Sequence, residues 1–325
     1  MPAVSVIIPV YNVEPYVARC ARSLFGQTLE DIEFIFIDDC TPDRSMDVVR
    51  EVLEREFPAR IPQVRFFRMP VNSGLAKVRM QGISLATGEY LISCDSDDEL
   101  VSPEAYRLLY GKAVSERLDI VTCNYLKEEA SGRRVLVREE CSGVRDLLLD
   151  KVQGSLVCRL IRRAILPEGL LPSLGSMGED LVVSLQATLQ ARSQGHVDEP
   201  FYLYRYRPSS ISKLQGKEAA IGRHRTLVAN VRMLVGLLVG TYGYREDSPE
   251  IVCFKYYARH CIEPYVGDRA CYSLWRETFP EVDAKLLANP CLSLEKKGWF
   301  VLIRLHLYDL VKRVTRRLGK KREQA

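Results

Sequence analysis

The sequence is 325 residues long, 47% of them hydrophobic and 27% charged, which is enough apolar material to bury a sizeable core and predicts one large domain with an appendage. Its 46 Lys and Arg nearly balance its 42 Asp and Glu, for a net charge of +4. Ten cysteines without a C-x-x-C pair argue against a zinc ribbon and a disulfide framework, so we expect reduced, mostly buried thiols.

The N-terminus contains no recognisable export signal. Met1-Pro2-Ala3 leads directly into a strand-like apolar run, without a basic segment before it. We therefore expect a cytoplasmic protein.

The first hundred residues alternate apolar runs with amphipathic segments. Buried strands are predicted at 4–10, 34–37 and 64–67, and a fourth in the apolar run that begins at Tyr90 and ends at the acidic residues from Asp95 onward. The segments between them predict helices, the first starting at Glu14-Pro15 and the third running from Gly74 to a C-terminal glycine at Gly88. Successive βα units indicate an α/β fold with a doubly wound, mostly parallel sheet, in which ligands bind at the carboxyl ends of the strands.

The fourth strand ends abruptly in acidic residues, namely Asp95, Asp97, Asp98 and Glu99. Crowded carboxylates repel each other unless a cation lies among them, and hard oxygen ligands at this spacing suit Mg²⁺ or Mn²⁺, which in turn can hold a diphosphate. The alternative is a solvated acidic turn leading into a helix, with Ser102 as N-cap and Pro103 at the first helical position.

The second strand also ends on acid, at Asp38-Asp39, so one crevice should collect both acidic strand ends. An acid there can accept the imide N–H of uracil, whereas a base without that donor would leave the carboxylate unpaired, and this favours uridine. The alternative is that Asp39 caps the next helix alongside Asp43 and Ser45, a role better suited to Asp43. Lys77 and Arg79 are candidates for diphosphate contacts or for a solvated helix face.

The second half of the sequence is predicted to contain both helices and strands without regular alternation. It begins with a helix over 102–116, a strand over 119–125, a hairpin turn at Ser131-Gly132 and a helix over 144–151. Gly178-Glu179-Asp180 then follows Ser176, and the spacing of Ser176 and Glu179 predicts a capping box for a helix that continues to Gly195. Beyond residue 217 the chain is predicted to be helical.

The C-terminal segment is basic. Residues 296–325 contain ten Lys or Arg and two Asp or Glu, so this segment carries +8 and the rest of the chain −4. A helix over 298–318 would have an apolar face with Trp299 and a cationic side, which suits an anionic membrane surface. A helix packed on the catalytic domain with a basic outer side fits the pattern equally well. Nucleic acid is disfavoured because no binding module is present.

Four segments in order resemble the motifs of family 2 glycosyltransferases, the inverting GT-A type. They are VSVIIPVYN (4–12), IDDCTPDRS (37–45), Asn72 to Gly74 with the following helix, and GEYLISCDSDD (88–98). The resemblance covers about residues 1–210. Cys40 and Pro42 depart from it, since the family usually has Gly at the first position and a small polar residue at the second.

The resemblance implies a set of site residues. The residues predicted to bind the nucleotide-sugar are Pro9, Tyr11, Asn12, Glu14, Asp39, Asn72, Gly74, Lys77, Asp95, Ser96 and Arg205. Asp97, with Asp95, would bind the metal ion, and Arg205 would face the diphosphate. The Glu179-Asp180 pair resembles the catalytic-base motif, with Asp180 as the base. Residues 202–207 with 209–212 resemble the segment that closes the catalytic core.

We therefore predict a metal-dependent, inverting glycosyltransferase of the hexosyl or N-acetylhexosaminyl type. It would use a UDP-sugar with Mn²⁺ or Mg²⁺ and a glycan or polyprenyl-linked acceptor, in cell-surface polysaccharide synthesis, as a cytoplasmic protein that can lie on the inner face of the membrane. The predicted domains are 1–215, with a nucleotide-sugar half (1–100) and an acceptor half (101–215), and a helical extension (216–325). The alternatives are a non-catalytic membrane-associated scaffold and a D-x-D phosphatase, although Glu99 stands where that phosphatase family expects Thr or Val.

Overall fold

A computed structural model describes residues 1–140, 143–207, 216–308 and 310–311. Two compact units divide the chain, residues 1–147 with 151–210 and residues 148–150 with 211–325. The division at residue 215 stays a prediction about domains. Seven of the nine described cysteines are buried, and no disulfide forms among the residues described.

The first unit is built on a single mixed sheet, which among the described residues has nine strands in the order β3-β2-β1-β4-β8-β6-β9-β5, with β7 paired to β6. The strands are β1 (Val4–Val10), β2 (Ile32–Asp38), β3 (Val64–Arg68), β4 (Tyr90–Ser93), β5 (Glu99–Leu100), β6 (Ile120–Glu128), β7 (Arg134–Val137), β8 (Arg159–Arg162) and β9 (Gln194–Tyr204).

The helices of the first unit are α1 (Glu14–Phe25), α2 (Ser45–Glu56), α3 (Leu75–Leu85), α4 (Ala105–Ser115), α5 (Val144–Leu148) and α6 (Glu179–Gln190). They cover both faces of the sheet. Ile8 and Phe36 belong to a core that includes residues of α1 and α2, whereas Ile7 and Ile37 pack with Val78 of α3. This two-sided burial explains why β1 and β2 are apolar at nearly every position.

The predicted α/β fold is confirmed, and the four N-terminal strands are parallel to one another. Val10 pairs with Asp38, and β4 runs parallel to β1 on its other side, so the loops after β1, β2 and β4 leave the sheet at one edge. The acceptor half differs from a simple doubly wound pattern, because β8 runs antiparallel to β4 and β6, and β5 runs antiparallel to β9.

Three predicted helix boundaries are wrong. Helix α4 starts at Ala105, and the Ser102 hydroxyl accepts the Glu104 N–H (3.2 Å) in the turn before it. Helix α6 ends at Gln190, and Gly195 belongs to β9. Helix α3 ends before Gly88, where an added Cβ would lie 2.7 Å from the Ser5 nitrogen, so this glycine permits close approach to β1 rather than ending the helix.

The second unit is helical, as predicted. Its helices are α7 (Lys217–Tyr242), α8 (Pro249–Tyr257), α9 (Arg269–Glu277), α10 (Asp283–Leu286) and α11 (Leu294–Arg304). Fully buried Arg259 donates from Nε to the Thr278 carbonyl oxygen (2.9 Å) and pairs through NH2 with Asp283 (2.8 Å). Over the part of the chain that the structure describes, no helix is both long and apolar enough to cross a bilayer.

The continuous amphipathic helix predicted over 298–318 is wrong at 305–307. Helix α11 ends at Arg304, and His306 adopts a φ of 57°, which a continuing helix does not allow. Phe300 and Ile303 are buried, and Phe300 contacts the rings of Tyr256 and Trp275 within the same unit. The first part of the segment is therefore a packed helix, while residues 309 and 312–318 lie outside the described residues.

Candidate active site

The loops that follow β1 and β2 hold each other in place. Asn12 has a φ of 53°, and its N–H donates to Thr41 Oγ1 at 2.8 Å. Asp43 accepts the Glu14 N–H, and Glu14 Oε2 in turn accepts the Arg44 N–H, both at 2.9 Å. The two carboxylates thus satisfy N–H groups at the starts of α1 and α2 reciprocally.

Asp43 is not the N-cap of α2, which is Arg44, but its carboxylate accepts the N–H of Ser45, the first residue of that helix, at 3.1 Å. Burial would raise the pKa of this carboxyl, but hydrogen bonds from Ser45, Thr41 and the Glu14 N–H outweigh burial and lower the pKa to about 2. Asp43 is therefore ionised near neutral pH and fixes the geometry of the loops beside the site predicted to bind the nucleotide base.

Asp39 fixes the start of α3. It is buried, and its two carboxylate oxygens accept the N–H groups of Ser73 (2.6 Å) and Gly74 (2.8 Å). Each oxygen keeps a second lone pair, so an imide N–H can still be accepted, and the predicted uracil contact stays a prediction. Beside it, Cys40 has a φ of 57°, the left-handed conformation that glycine adopts most easily, at a position where the resembling family usually has Gly.

The remaining residues predicted to contact the nucleotide differ in exposure. Pro9 and Ser96 are buried, and the Ser96 hydroxyl donates to the Pro9 carbonyl oxygen at 2.6 Å. This hydrogen bond attaches the loop of residues 95–98 after β4, called the acidic loop below, to the end of β1. Exposed side chains at the same edge of the sheet or on α3 are those of Tyr11, Asn12, Asn72 and Lys77.

Arg79 joins the two acidic motifs. Its side chain is 4% exposed; NH2 donates to Asp95 Oδ1 and NH1 to Glu179 Oε1, both at 2.6 Å, and NH1 also pairs with Asp180 Oδ1. Asp95 and the Glu179-Asp180 pair are far apart in the chain. The fold thus brings the motif predicted to bind the nucleotide-sugar and the motif predicted to contain the catalytic base to one guanidinium.

The alternative that Arg79 lies on a solvated face of α3 is therefore wrong. The sequence contained a signal for its burial, because Ala76 and Gly82, three residues to either side, are small residues on the face of α3 that packs against the sheet. An arginine between them at helical spacing points to a buried cation.

Both acids of the second motif have raised pKa values. Burial raises the pKa of Glu179 to about 8, and the neighbouring Asp180 charge adds to the shift while Arg79 opposes it. Burial also raises the pKa of Asp180, Arg79 opposes the shift, and the Asp95 charge reinforces it. Three carboxylates share one guanidinium, so the cluster favours holding a proton, and Glu179 is the more enclosed of the pair, with 11% of its side chain exposed against 27% for Asp180.

The predicted capping box is wrong. The N-cap of α6 is Gly178, with a φ of 81° and no side-chain cap, so Ser176 does not cap this helix. Glu179 is the first residue of the helix, and its carboxylate contacts Arg79 rather than reaching back to the chain before it. The acidic pair lies in the first helical turn, where the helix dipole favours negative charge.

The acidic loop after β4 is held by several partners. Asp97 Oδ2 accepts from Arg207 NH1 (3.0 Å), and Arg207 NH2 also donates to the Asn12 carbonyl oxygen (3.3 Å). Burial raises the pKa of Asp97, and so does the Asp95 charge, while Arg207 opposes the shift. Asp98 is buried and accepts the hydroxyl of Tyr202 at 2.7 Å.

The arginine beside the acidic loop is not the one expected from the sequence. The Arg205 guanidinium pairs with Glu99 and Glu128, so it is committed to two glutamates, whereas Arg207 contacts Asp97. Sequence reasoning missed Arg207, Tyr202 and the buried Asp98. Arg205 and Arg207 are two residues apart, so in an extended segment their side chains would point to the same side, and the sequence alone does not distinguish their roles. The motif residues 209–212 lie outside the described residues.

The acidic loop fits a divalent cation that shares its ligands with a substrate. Asp95 and Asp97 offer hard oxygen donors, and burial together with the Asp95 charge raises the pKa of Asp97 despite its pairing with Arg207. Within the described residues, no three His, Cys, Asp or Glu side chains form a metal-binding group. This donor set suits Mg²⁺ or Mn²⁺ bound by one or two carboxylates together with phosphate and water, not a complete protein cage.

Comparisons with known proteins indicate a relationship to glycosyltransferases. Residues 5–163 match the family model described as Glycosyl transferase family 2. The chain is 34% identical over 233 residues to the uncharacterized glycosyltransferase EpsJ of Bacillus subtilis, covering 67% of this chain and 65% of that protein. The chain thus spans slightly less than two thirds of this relative.

Solved structures resemble the fold. S. aureus TarS 1-349 in complex with UDP-GlcNAc has a TM-score of 0.58 at 16% identity, covering 89% of this chain and 92% of that one. The mannosyltransferase PcManGT from Pyrobaculum calidifontis, in complex with GDP-Man and Mn²⁺, has a TM-score of 0.53 at 16% identity, covering 96% and 87%. At these identities the similarity concerns the fold alone.

Proposed function

Because residues 5–163 match the model of glycosyl transferase family 2 and the fold is of the GT-A type, we propose that the chain belongs to this family and transfers a sugar from a UDP-sugar to a hydroxyl group of a glycan or lipid-linked acceptor, with inversion at the sugar. The observation that carries the proposal is the buried Arg79, which contacts both Asp95 of the acidic loop and the Glu179-Asp180 pair. Donor and base groups from distant segments thereby meet in one site.

The nucleotide binds at the edge where the loops after β1, β2 and β4 meet. Asp39 accepts the imide N–H of the base, while Tyr11 and Asn12 border the ring from the loop after β1. Arg207, beside Asp97, neutralises charge on the diphosphate in the role first expected for Arg205.

Asp97, with Asp95, holds Mg²⁺ or Mn²⁺. When bound, the cation supplies Lewis-acid stabilisation of the departing diphosphate. Asp97 is the better candidate of the two, because Asp95 already pairs with Arg79 at 2.6 Å, whereas the Asp97 carboxylate contacts the more exposed Arg207 at 3.0 Å.

Asp180 acts as general base. Glu179 has its pKa raised to about 8 and is the more buried acid, so it is the member of the pair that retains a proton near neutral pH. We assign the ionised form to Asp180, which pairs with Arg79, and the upward shift of its pKa increases its basicity toward a hydroxyl group. The acceptor O–H proton passes to Asp180 as the acceptor oxygen bonds to the anomeric carbon. The bond from that carbon to the phosphate oxygen breaks, and UDP leaves.

Two alternatives remain to be compared with this proposal. The match of residues 5–163, which include the D-x-D motif, to glycosyl transferase family 2 removes the support for a D-x-D phosphatase. A non-catalytic scaffold would retain the fold without turnover, yet the acids that the proposed chemistry needs, Asp97, Glu179 and Asp180, are all present.

We also propose that the acceptor belongs to a cell-surface polysaccharide and that the protein works on the inner face of the membrane, with the basic residues that follow α11 meeting anionic lipid. The charge of this C-terminal segment supports the membrane contact.

Donor hydrolysis tests the function most directly. The protein would be incubated with a panel of UDP-, GDP-, CDP- and ADP-sugars in Mn²⁺ or Mg²⁺, and release of the nucleoside diphosphate would be measured. We expect release from one or a few UDP-sugars, and its loss in Asp180→Asn when acceptor is present. Binding of UDP without release from any donor or transfer to any acceptor would favour the scaffold, and the anomeric configuration of a transferred sugar, read by NMR, would test inversion.

A further inference from the structure

Tyr202 lies between two acids of the acidic loop. Its hydroxyl donates to Asp98 Oδ2 at 2.7 Å and accepts the Asp95 N–H at 3.2 Å. Tyr202 is 1% exposed and Asp98 is 3% exposed, so both polar groups are removed from water. A buried carboxylate is costly unless it is hydrogen-bonded, which makes each of these contacts significant.

The second oxygen of Asp98 is also occupied. Asp98 Oδ1 accepts the Arg205 N–H at 2.8 Å, so one carboxylate contacts both the side chain of Tyr202 within β9 and the main chain just after β9 ends. The pairing of Glu99 with Leu203 continues this attachment along β5. The acidic loop and β5 are therefore attached to Tyr202, Leu203 and Arg205 at the end of β9.

This attachment decides where two charged groups lie. Asp97 directly precedes Asp98, and Arg207 follows Arg205 by two residues. Arg207 NH1 meets Asp97 Oδ2 at 3.0 Å. If β9 shifted relative to the loop, the Arg207 guanidinium and the Asp97 carboxylate would no longer face the same space.

We infer that Tyr202 and Asp98 are positioning residues for metal-dependent donor binding. Asp98 does not bind the cation; it orients the Asp97 carboxylate and Arg207 toward a shared cation and diphosphate. This inference rests on the proposed function. Functional groups must be held within about 0.5 Å of their productive geometry, which two buried hydrogen bonds to one carboxylate can achieve.

A nearby tyrosine provides a matched control. Tyr106 is also 1% exposed, and among the described residues its hydroxyl has no hydrogen-bond partner. Tyr106→Phe and Tyr202→Phe each delete one buried hydroxyl, and only the second deletes a link to Asp95 and Asp98. A general loss of packing would affect both variants alike.

The test is calorimetric titration of UDP into wild type and both variants, with and without Mn²⁺, together with Mn²⁺ titration followed by electron paramagnetic resonance. Wild type should bind UDP more tightly with Mn²⁺. In Tyr202→Phe we expect UDP affinity in Mn²⁺ to fall by up to about tenfold, the upper end of what one hydrogen bond contributes, while metal-free affinity stays near wild type. Tyr106→Phe should match wild type in both conditions.

Asp98→Asn is the second variant, because it keeps the shape and replaces one acceptor oxygen with a donor; it should lose the same metal-dependent part of the affinity. The inference is overturned if Mn²⁺ increases UDP affinity by the same factor in Tyr202→Phe and Tyr106→Phe. It is also overturned if Tyr202→Phe weakens UDP binding equally with and without metal. Absence of binding by the wild type to UDP, GDP, CDP and ADP in Mn²⁺ or Mg²⁺ overturns the proposed function itself, a result visible before any variant is made.

Discussion

Arg79 and Asp95 form a salt bridge of 2.6 Å in which the arginine side chain is 4% exposed and the aspartate 28%. The same guanidinium contacts Glu179 and Asp180, so removing it would leave several carboxylates in a poorly solvated site. Breaking a buried ion pair from one side costs about 3–5 kcal/mol, whereas exposed pairs contribute about 0–1 kcal/mol.

Arg79→Met should therefore lower the free energy of unfolding by about 3–5 kcal/mol, measured by urea denaturation. Arg79→Lys should recover only part of the loss, because an ammonium group cannot reproduce the planar fork. Arg107→Met is the matched control, since Arg107 also pairs with a glutamate, Glu104, but is 54% exposed. Equal losses at the two positions would contradict the buried-cluster argument.

The pH dependence of stability tests the state of Glu179. The folded protein raises the pKa of this carboxyl from 4.5 to about 8, so it binds a proton more tightly than the unfolded chain does. The corresponding stability is fully present below about pH 4.5 and is lost as the pH rises toward about 8.

Glu179→Gln should flatten this part of the curve, because the amide does not titrate. Urea unfolding of both proteins at several pH values within the window gives the comparison. Parallel curves for wild type and variant would show that Glu179 is not the proton-binding group.

Metal dependence can be tested at Asp97. Asp97→Asn should abolish transfer and weaken UDP binding in Mn²⁺ or Mg²⁺, because an amide oxygen is a poorer ligand than a carboxylate for a hard cation. EDTA should have the same effect on the wild-type protein. Asp47→Asn, at an exposed position in the first turn of α2, should leave binding and transfer unchanged. Transfer that persists unchanged in EDTA would remove the metal from the proposal.

The last fourteen residues of the basic C-terminal segment, 312–325, can be removed while the packed helix α11 is retained. Truncation after residue 311 deletes seven Lys or Arg and retains Phe300 and Ile303, which are buried. Wild type should bind anionic vesicles, and added salt should weaken this binding, since each basic residue near the surface contributes about 1 kcal/mol. The truncated protein should bind vesicles far less and UDP equally well. Equal vesicle sedimentation of both proteins would argue against a membrane role for this segment.

The sequence predicted the donor half of the fold well and the side-chain contacts poorly. Apolar runs locate β1 and β2 because both faces of each strand are buried, and the start of α1 at Glu14 follows from Pro15. The roles of Arg79 and Arg207 depend instead on which distant segments the sheet brings together. Local spacing also suggested a capping box at Ser176, but Gly178 adopts a left-handed conformation at the N-cap and frees Glu179 to contact Arg79.

The assignment of Asp180 as general base is the prediction that tests mechanism. A hydroxyl group is a weak nucleophile near neutral pH, so a positioned carboxylate contributes about 10²- to 10⁴-fold to the rate. Asp180→Asn should lower kcat by about this factor and leave UDP affinity near wild type, because the residues proposed to contact the donor are Asp39, Asp97 and Arg207. Glu179→Gln should cost much less, since its amide oxygen still accepts from Arg79. Single-turnover transfer and UDP titration on the same preparations separate chemistry from binding. An active Asp180→Asn beside an inactive Glu179→Gln would assign the base to Glu179, and a joint loss of stability with UDP binding would leave both acids in a structural role only.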